Sequence, residues 1–268
     1  MSLSPSRSGE RRLAVFLDWD NLALGLKQGA SNRFDVQVVL DRALEKGKIL
    51  VKKAYADWGR HREYKEQLHG AAIELIELPK RSASGKNSGD IRMVVDALDL
   101  AFNKLHIDTF VLVTGDSDFS PLVSKLREID KEVIGIGIKA ASSQLLIENC
   151  DEFIFYDDLV AQTETAVRID KTTVPQEVVT SKQREVFTIV IDAVRALFRE
   201  GRELVWASMV KQTIKRKKPA FDEGAYDYGS FSELLLDMEK LKLIRLEKDP
   251  KSGSLLVTAV QARSGKSK

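Results

Sequence analysis

Apolar residues in this chain fall into short runs, separated by stretches in which they recur every three or four positions. Arg12–Leu17 is a nearly continuous apolar run of strand length, and Val36–Lys46 sets Val36, Val39, Leu40 and Ala43 on one helical face. Ile49–Ala56 reads as the next strand and Arg60–Gly70 as a polar helix. Ile73–Leu78 alternates apolar with acidic residues, the pattern of a strand near a sheet edge. Lys80–Gly89 is a loop rich in Ser, Gly and Lys. A helix then opens at Asp90, with Ile91, Val94, Val95, Leu98, Ala101, Phe102 and Leu105 spaced for one apolar face. Thr109–Val113, Glu132–Ile138 and Glu152–Phe155 read as strands, with helices over Pro121–Ile129 and Ser142–Asn149. Strands separated by helices predict an α/β domain, a parallel sheet with helices on both faces.

The pattern changes after Tyr156. Residues 161–182 are polar, with Pro175 breaking any helix, and read as a linker between a first domain at 11–160 and a second at 183–260. Helical patterns near Gln183–Phe198, Leu204–Ile214 and Ser230–Glu239 precede two short strands, Leu243–Glu247 and Ser254–Val257. These strands flank the turn Asp249–Gly253. Three helices closed by a hairpin outline a small α+β winged helix.

The length of 268 residues suits two ordinary domains, and no apolar run approaches the roughly 18 residues of a membrane span. The first ten residues lack the apolar stretch of a secretory signal. Cys150, the single cysteine, excludes an internal disulfide framework, and the expected location is the cytoplasm. His61, His69 and His106 form no pair at helical spacing, which argues against a zinc site. The net charge of +2 hides an asymmetry: from residue 183 onward there are 17 Lys+Arg against 12 Asp+Glu, and before it 25 against 28. An acidic part beside a basic part suits a metal centre joined to a module that meets phosphates.

The acids stand where strands end, which is where parallel sheets build their sites. Asp18 closes the first strand as a natural metal ligand, or as part of an Asx turn in which Asp20 or Asn21 caps the next helix. Asn21 could also hold a neighbouring acid. Asp116 and Asp118 follow the fourth strand, and Ser120–Pro121 already reads as a cap and first-turn pair for the next helix. Those two acids therefore call for another explanation than capping. Asp90 taken alone reads as the cap of its own helix, and Asp96 as part of a solvated face.

Other residues carry weaker signals. Trp58 with Arg60, His61 and Arg62 could stack on and clamp a nucleic acid strand, or be a half-buried core residue beside solvated charges. Lys80, Arg81 and Lys86 could grip a substrate backbone. Lys211, Lys215, Arg216, Lys217 and Lys218 form a basic run that could bind phosphates or merely solvate a helix end. Tyr226, Tyr228 and Phe231 could stack on bases or fill a core. Gly135 and Gly137 mark close strand packing, and Cys150 reads as a small apolar residue.

Three segments together resemble the NYN domain of the PIN-like nucleases, the group that includes the LabA-like bacterial proteins. They are Phe16-Leu-Asp18-Trp-Asp20-Asn21, Lys86-Asn-Ser-Gly-Asp90, and Leu112-Val-Thr-Gly-Asp116-Ser-Asp118-Phe119-Ser-Pro-Leu122. The match covers roughly 11–158. Phe221-Asp222, Tyr228-Gly-Ser-Phe231-Ser-Glu-Leu234-Leu235 and the closing hairpin are similar to the OST-HTH, or LOTUS, domain over about 184–258. The resemblance implies a Rossmannoid sheet, and Asp18, Asp90, Asp116 and Asp118 as catalytic ligands of one or two Mg²⁺ or Mn²⁺ ions, supported by Asn21. It further implies an endoribonuclease that hydrolyses RNA phosphodiesters, with single-stranded or structured RNA as partner, no membrane, and a homodimer left open. Ser88-Gly89 before Asp90 departs from the pair many relatives carry. Two rivals remain. A haloacid-dehalogenase-type phosphatase would use Asp18 as nucleophile and Asp20 as acid, but Asn21 stands where that pattern wants Thr or Val. A non-catalytic RNA-binding adaptor would use the basic run, with Tyr226, Tyr228 and Phe231 stacking on bases.

Overall fold

All six strand-length runs read from the first part of the chain form strands of one sheet. The computed structural model describes residues 10–28, 34–78, 88–163, 179–250 and 252–261. In chain order the elements are β1 (Arg12–Asp18), α1 (Trp19–Gln28), α2 (Val36–Lys46), β2 (Lys48–Ala56), α3 (Arg62–Gly70), β3 (Glu74–Glu77) and α4 (Ser88–Asn103). They continue with β4 (Thr109–Val113), α5 (Ser120–Glu128), β5 (Glu132–Gly137), α6 (Gln144–Asn149), β6 (Glu152–Phe155) and a helix α7 over 156–163.

The sheet runs β3-β2-β1-β4-β5-β6 with every pairing parallel. The chain therefore builds outward from β1 to β3, then returns across α4 to place β4 on the other side of β1. That reversal opens a crevice at the carboxyl ends of β1 and β4. The acidic alternation of β3 fits its edge position.

The central strands are buried on both faces, as a covered parallel sheet requires. Leu13, Val15 and Leu17 of β1 join a core with α1, α2, α3 and α7, whereas Ala14 and Phe16 join the core under α4, α5 and α6. Phe16 stacks between Tyr55 and Phe110, with ring centroids 6.2 and 6.1 Å away. Gly135 and Gly137 lie close against the rings and loops beside them, since an added Cβ would come within 2.3 Å of Phe153 and of Ser142 respectively.

Three features differ from the sequence reading. Helix α1 was not legible: its Trp19, Leu22 and Leu26 are buried, but three such positions amid Asp, Asn and Gly make a thin pattern. Helix α4 starts at Ser88, so Asp90 lies inside its first turn rather than at its cap. The buried face of α4 is Met93, Ala97 and Ala101; Ile91, Val95, Phe102 and Leu105 are exposed. Small residues let α4 lie close to the sheet, so the larger apolar residues turn outward.

Contact density divides the chain into two compact units, 1–161 and 162–268. The second contains α8 (Ser181–Arg199), β7 (Val205–Trp206), α9 (Ala207–Lys217), α10 (Phe231–Lys240), β8 (Ile244–Lys248) and β9 (Leu255–Val260). Thr180 and Gln183 close a reciprocal capping box at the start of α8. The hairpin β8–β9 is extended by β7 into an antiparallel sheet ordered β7-β9-β8, so the apolar start assigned to the second helix is instead a short strand. Val186, Val190, Leu234, Met238, Leu243 and Val257 belong to this unit's own core. Among the described residues no helix is long and apolar enough to cross a membrane.

Phe16 has no exposed surface and fills the space beneath α4. Phe16→Ala is expected to lower unfolding free energy by about 3–5 kcal/mol. Urea denaturation measures this, and a loss near zero would show that the sheet does not pack around it.

Candidate active site

Parallel pairing of β1 with β4 sets Leu17 beside Val113, so the next residues, Asp18 and Thr114, meet at the crevice. The Thr114 hydroxyl donates to Asp18 Oδ2 at 3.0 Å, and the backbone N–H of Asn21 donates to Oδ1 at 3.3 Å. The side-chain oxygen of Asn21 accepts from the Gly115 N–H at 2.9 Å, and Thr114 Oγ1 accepts from the Asp116 N–H at 3.2 Å. Four hydrogen bonds thus lace the two strand ends together around one carboxylate. Gly115 permits this closeness, since a Cβ there would lie 2.2 Å from the carbonyl oxygen of Ala141. Thr114 was not singled out from the sequence. Its signal is its place in Thr-Gly-Asp-Ser-Asp, immediately after the buried strand.

Asp18 is only 8% exposed. Burial pushes its carboxyl up to about 7; hydrogen bonds from Thr114 and Asn21 act against this, while the charges of Asp90 and Asp20 add to it. Asp90 therefore stands within electrostatic reach of Asp18, delivered by the first turn of α4. Asp20 is engaged differently: its Oδ1 lies 2.9 Å from His61 Nε2, and the His61 ring packs edge-on against Trp19. This pair was missed because His61 was judged as one half of a metal pair and as a neighbour of Trp58, never against an acid 41 residues away. Asp20, Lys27, Arg60 and His61, with Ala23, Leu24 and Tyr64, line a cavity of about 390 Å³ between α1 and α3.

Asp116 and Asp118 are placed otherwise than the capping argument supposed. Residues Ser117–Phe119 form a 3₁₀ turn running directly into α5, so the start of this helical stretch is Asp116 and not Ser120. Asp116 Oδ1 caps it by accepting the Asp118 N–H at 3.0 Å, while the buried Ser120 hydroxyl finds no hydrogen-bond partner among the described residues. Asp116 is half-buried and Asp118 exposed. Among the described residues no three His, Cys, Asp or Glu side chains converge closely enough to hold a metal ion. The structure thus brings Asp18, Asp90 and Asn21 together, keeps Asp116 joined to them through Thr114, and leaves Asp118 at the rim. Lys80, Arg81 and Lys86 lie outside the described residues.

Asp96 is not part of a solvated face. It accepts from the Tyr55 hydroxyl at 2.9 Å and pairs with Arg92 at 3.2 Å and Lys53 at 3.5 Å. Burial, then the bond to Asp96, pushes the Tyr55 phenol far above its ordinary value. This cluster ties α4 to β2 and so sets the depth at which Asp90 enters the site. Trp58 cannot stack on a base, because it is buried and its indole N–H donates to the carbonyl of Ile76 at 3.0 Å. The Cys150 thiol is half-buried and pushed up to about 11 by desolvation, which leaves it unreactive.

In the second unit the basic run is divided. Lys211 pairs with Glu223 at 2.6 Å and lies over the Phe231 ring, so it fastens the fold. Lys215 and Lys218 are exposed and Arg216 and Lys217 half-buried at the carboxyl end of α9, where their charge complements the helix dipole. Tyr228 and Phe231 are core residues, with the Tyr228 hydroxyl donating to Asp237 at 2.7 Å. Tyr226 donates its hydroxyl to Glu185 at 3.0 Å and stacks on Phe221.

A six-stranded parallel sheet of this order, with an acid buried at the end of its first strand, defines a PIN-like α/β domain. Residues 12–158, more than half of the chain, match the NYN domain, and the chain belongs to the NYN domain family. The uncharacterized protein MJ0482 of Methanocaldococcus jannaschii is 32% identical over 149 residues, 55% of this chain and 56% of that protein. The chain thus spans little more than half the length of that curated relative. The crystal structure of a protein of unknown function, VPA0982 from Vibrio parahaemolyticus RIMD 2210633, is similar at a TM-score of 0.50 and 26% identity. That likeness covers 57% of this chain and 98% of the Vibrio chain.

Between about pH 4 and pH 7 the folded protein keeps a proton on Asp18 that the unfolded chain has released, so Asp18 erodes stability across that window and fully above it. The cost reaches about 4 kcal/mol without a cation. In EDTA, Asp18→Asn is expected to be more stable than wild type at about pH 8 and to lose that advantage near pH 4. Urea midpoints across pH measure it; a difference independent of pH would refute the raised pKa.

Proposed function

We propose that this chain is a ribonuclease of the LabA-like group, dependent on Mg²⁺ or Mn²⁺, cleaving RNA phosphodiesters internally, with a C-terminal OST-HTH (LOTUS) module that binds the RNA. The observation that carries this reading is Asp18: a buried acid at the crevice between β1 and β4, hydrogen-bonded by Thr114 and Asn21, within electrostatic reach of Asp90 and raised to about 7. A divalent cation bound there would offset that rise by favouring the charged carboxylate. The donor set fits Mg²⁺, which keeps most of its waters and takes one or two carboxylates together with substrate phosphate oxygens, without an all-protein cage. Asp18 and Asp90 would hold it, with Asp116 and Asp118 beside them, and when bound it supplies the charge that acidifies a water and neutralises the leaving oxygen.

The chain's own groups do the rest. Thr114 and Asn21 fix both oxygens of Asp18 from opposite strand ends, so the acid is preorganised. Asp96 holds α4 and with it Asp90. Lys27 and Arg60 edge the cavity beside Asp20 and His61, where they offer cations to the phosphates of an RNA strand, while Ala23, Leu24 and Tyr64 provide a wall for a base. Lys215 and Lys218 offer sequence-independent phosphate contacts in the second unit.

The capping role of Asp116 and the lack of a converged three-acid set among the described residues favour the adaptor as a second reading. One assay decides. Labelled single-stranded and structured RNA are incubated with Mg²⁺ or Mn²⁺ and wild type, Asp18→Asn, Asp90→Asn, Asp116→Asn or Asp118→Asn. Asp18→Asn and Asp90→Asn are expected to slow cleavage by about 10²-fold or more, Asp118→Asn by less. Equal cleavage by all five proteins would sink the site. Salt-sensitive RNA binding with no cleavage by wild type would establish the adaptor.

A further inference from the structure

Helix α4 carries two apolar faces, and the sheet uses only one. Met93, Ala97 and Ala101 are buried, whereas Ile91, Val95 and Phe102 are exposed by 61, 55 and 55%, and Leu105, in the turn that follows, by 79%. With the partly buried Leu98 these residues are spaced four, three, four and three apart. That is the narrow seam of a coiled coil, which needs a partner helix of the same spacing. An exposed apolar row of this length marks an interaction surface rather than scattered surface residues.

We propose that the occupant of this seam is α4 of a second copy, packed antiparallel about a two-fold axis passing between positions 96 and 97. In that register Ile91 faces Phe102 of the second copy and Val95 faces its Leu98. The flanking charges support this partner. Arg92 and Asp99 are both exposed and lie one heptad apart on the same flank of the seam. An antiparallel copy sets Arg92 of each chain beside Asp99 of the other, two opposite-charge contacts from one sequence, as an isologous interface demands. The face buried against the sheet and the Tyr55 and Lys53 contacts to Asp96 are left undisturbed, while Arg92, 3.2 Å from Asp96 of its own helix, is shared with Asp99 of the second copy. Four or five apolar side chains per copy cover less than the about 800 Å² per partner of a standard interface, so the dimer is dissociable, with Kd about 10–100 µM.

Sedimentation velocity of the full chain from about 1 to 200 µM tests this. Wild type is expected to pass from monomer to dimer across that range. Phe102→Asp changes an exposed residue, so melting and circular dichroism are expected to stay near wild type while Kd rises at least about tenfold. Asp99→Arg sets like charges together and weakens the dimer several-fold, whereas Asp99→Ala, which only removes the attraction, weakens it less. Wild type monomeric throughout, as when another segment of the same chain covers the seam, overturns the proposal. So does a dimer indifferent to both Phe102→Asp and Asp99→Arg. Neither readout depends on RNA cleavage.

Discussion

The pairing of β1 with β4 is the constraint on which the rest of this molecule depends. Only because the chain reverses direction across the sheet after β3 do Leu17 and Val113 lie side by side, and only then can Thr114 donate to Asp18. Both strands are sealed from water by helices on both faces, and the same sealing strips solvent from the carboxylate at their end. The hydrophobic effect that stabilises the sheet thus creates the electrostatic stress on the carboxylate at its end.

Helix α4 transmits that arrangement to the second acid. It is the crossover that returns the chain to the centre of the sheet, and its alanines allow it to lie close to the strands beneath. Tyr55, Lys53 and Arg92 gather on Asp96 and hold the helix at one depth, so Asp90 in its first turn meets the field of Asp18. The large apolar residues displaced to the outer side are a consequence of the same close packing. One helix therefore couples the sheet, the acidic crevice and an unpartnered apolar seam.

The second unit spends much of its chemical-looking inventory on its own stability. Tyr228 and Phe231 fill its core, and Lys211 is taken by Glu223 and the Phe231 ring. Of the basic run, Lys215 and Lys218 at the carboxyl end of α9 stay exposed. In the first unit the same division holds: Trp58 belongs to the core, while Arg60 and His61, two and three residues later, line a cavity.

Strand order aside, the domain class was legible from residue pattern, because strands buried on both faces must be apolar throughout and loops between them must be polar. The places of Asp18 and of the Thr-Gly-Asp-Ser-Asp segment followed from the ends of those runs, and helix α2 from its periodicity. What periodicity could not tell was which of two apolar faces α4 would bury, since Ile and Phe outweigh Ala in any pattern while close packing prefers Ala. Nor could it show that Asp116 caps a 3₁₀ turn, that Asp96 anchors a helix, or that His61 meets Asp20. Those are contacts between segments distant in sequence, or choices among local hydrogen bonds. The residue pattern determined which stretches pair and where acids emerge; only the folded sheet decided which acid loses its water, which is held, and which stays in solvent.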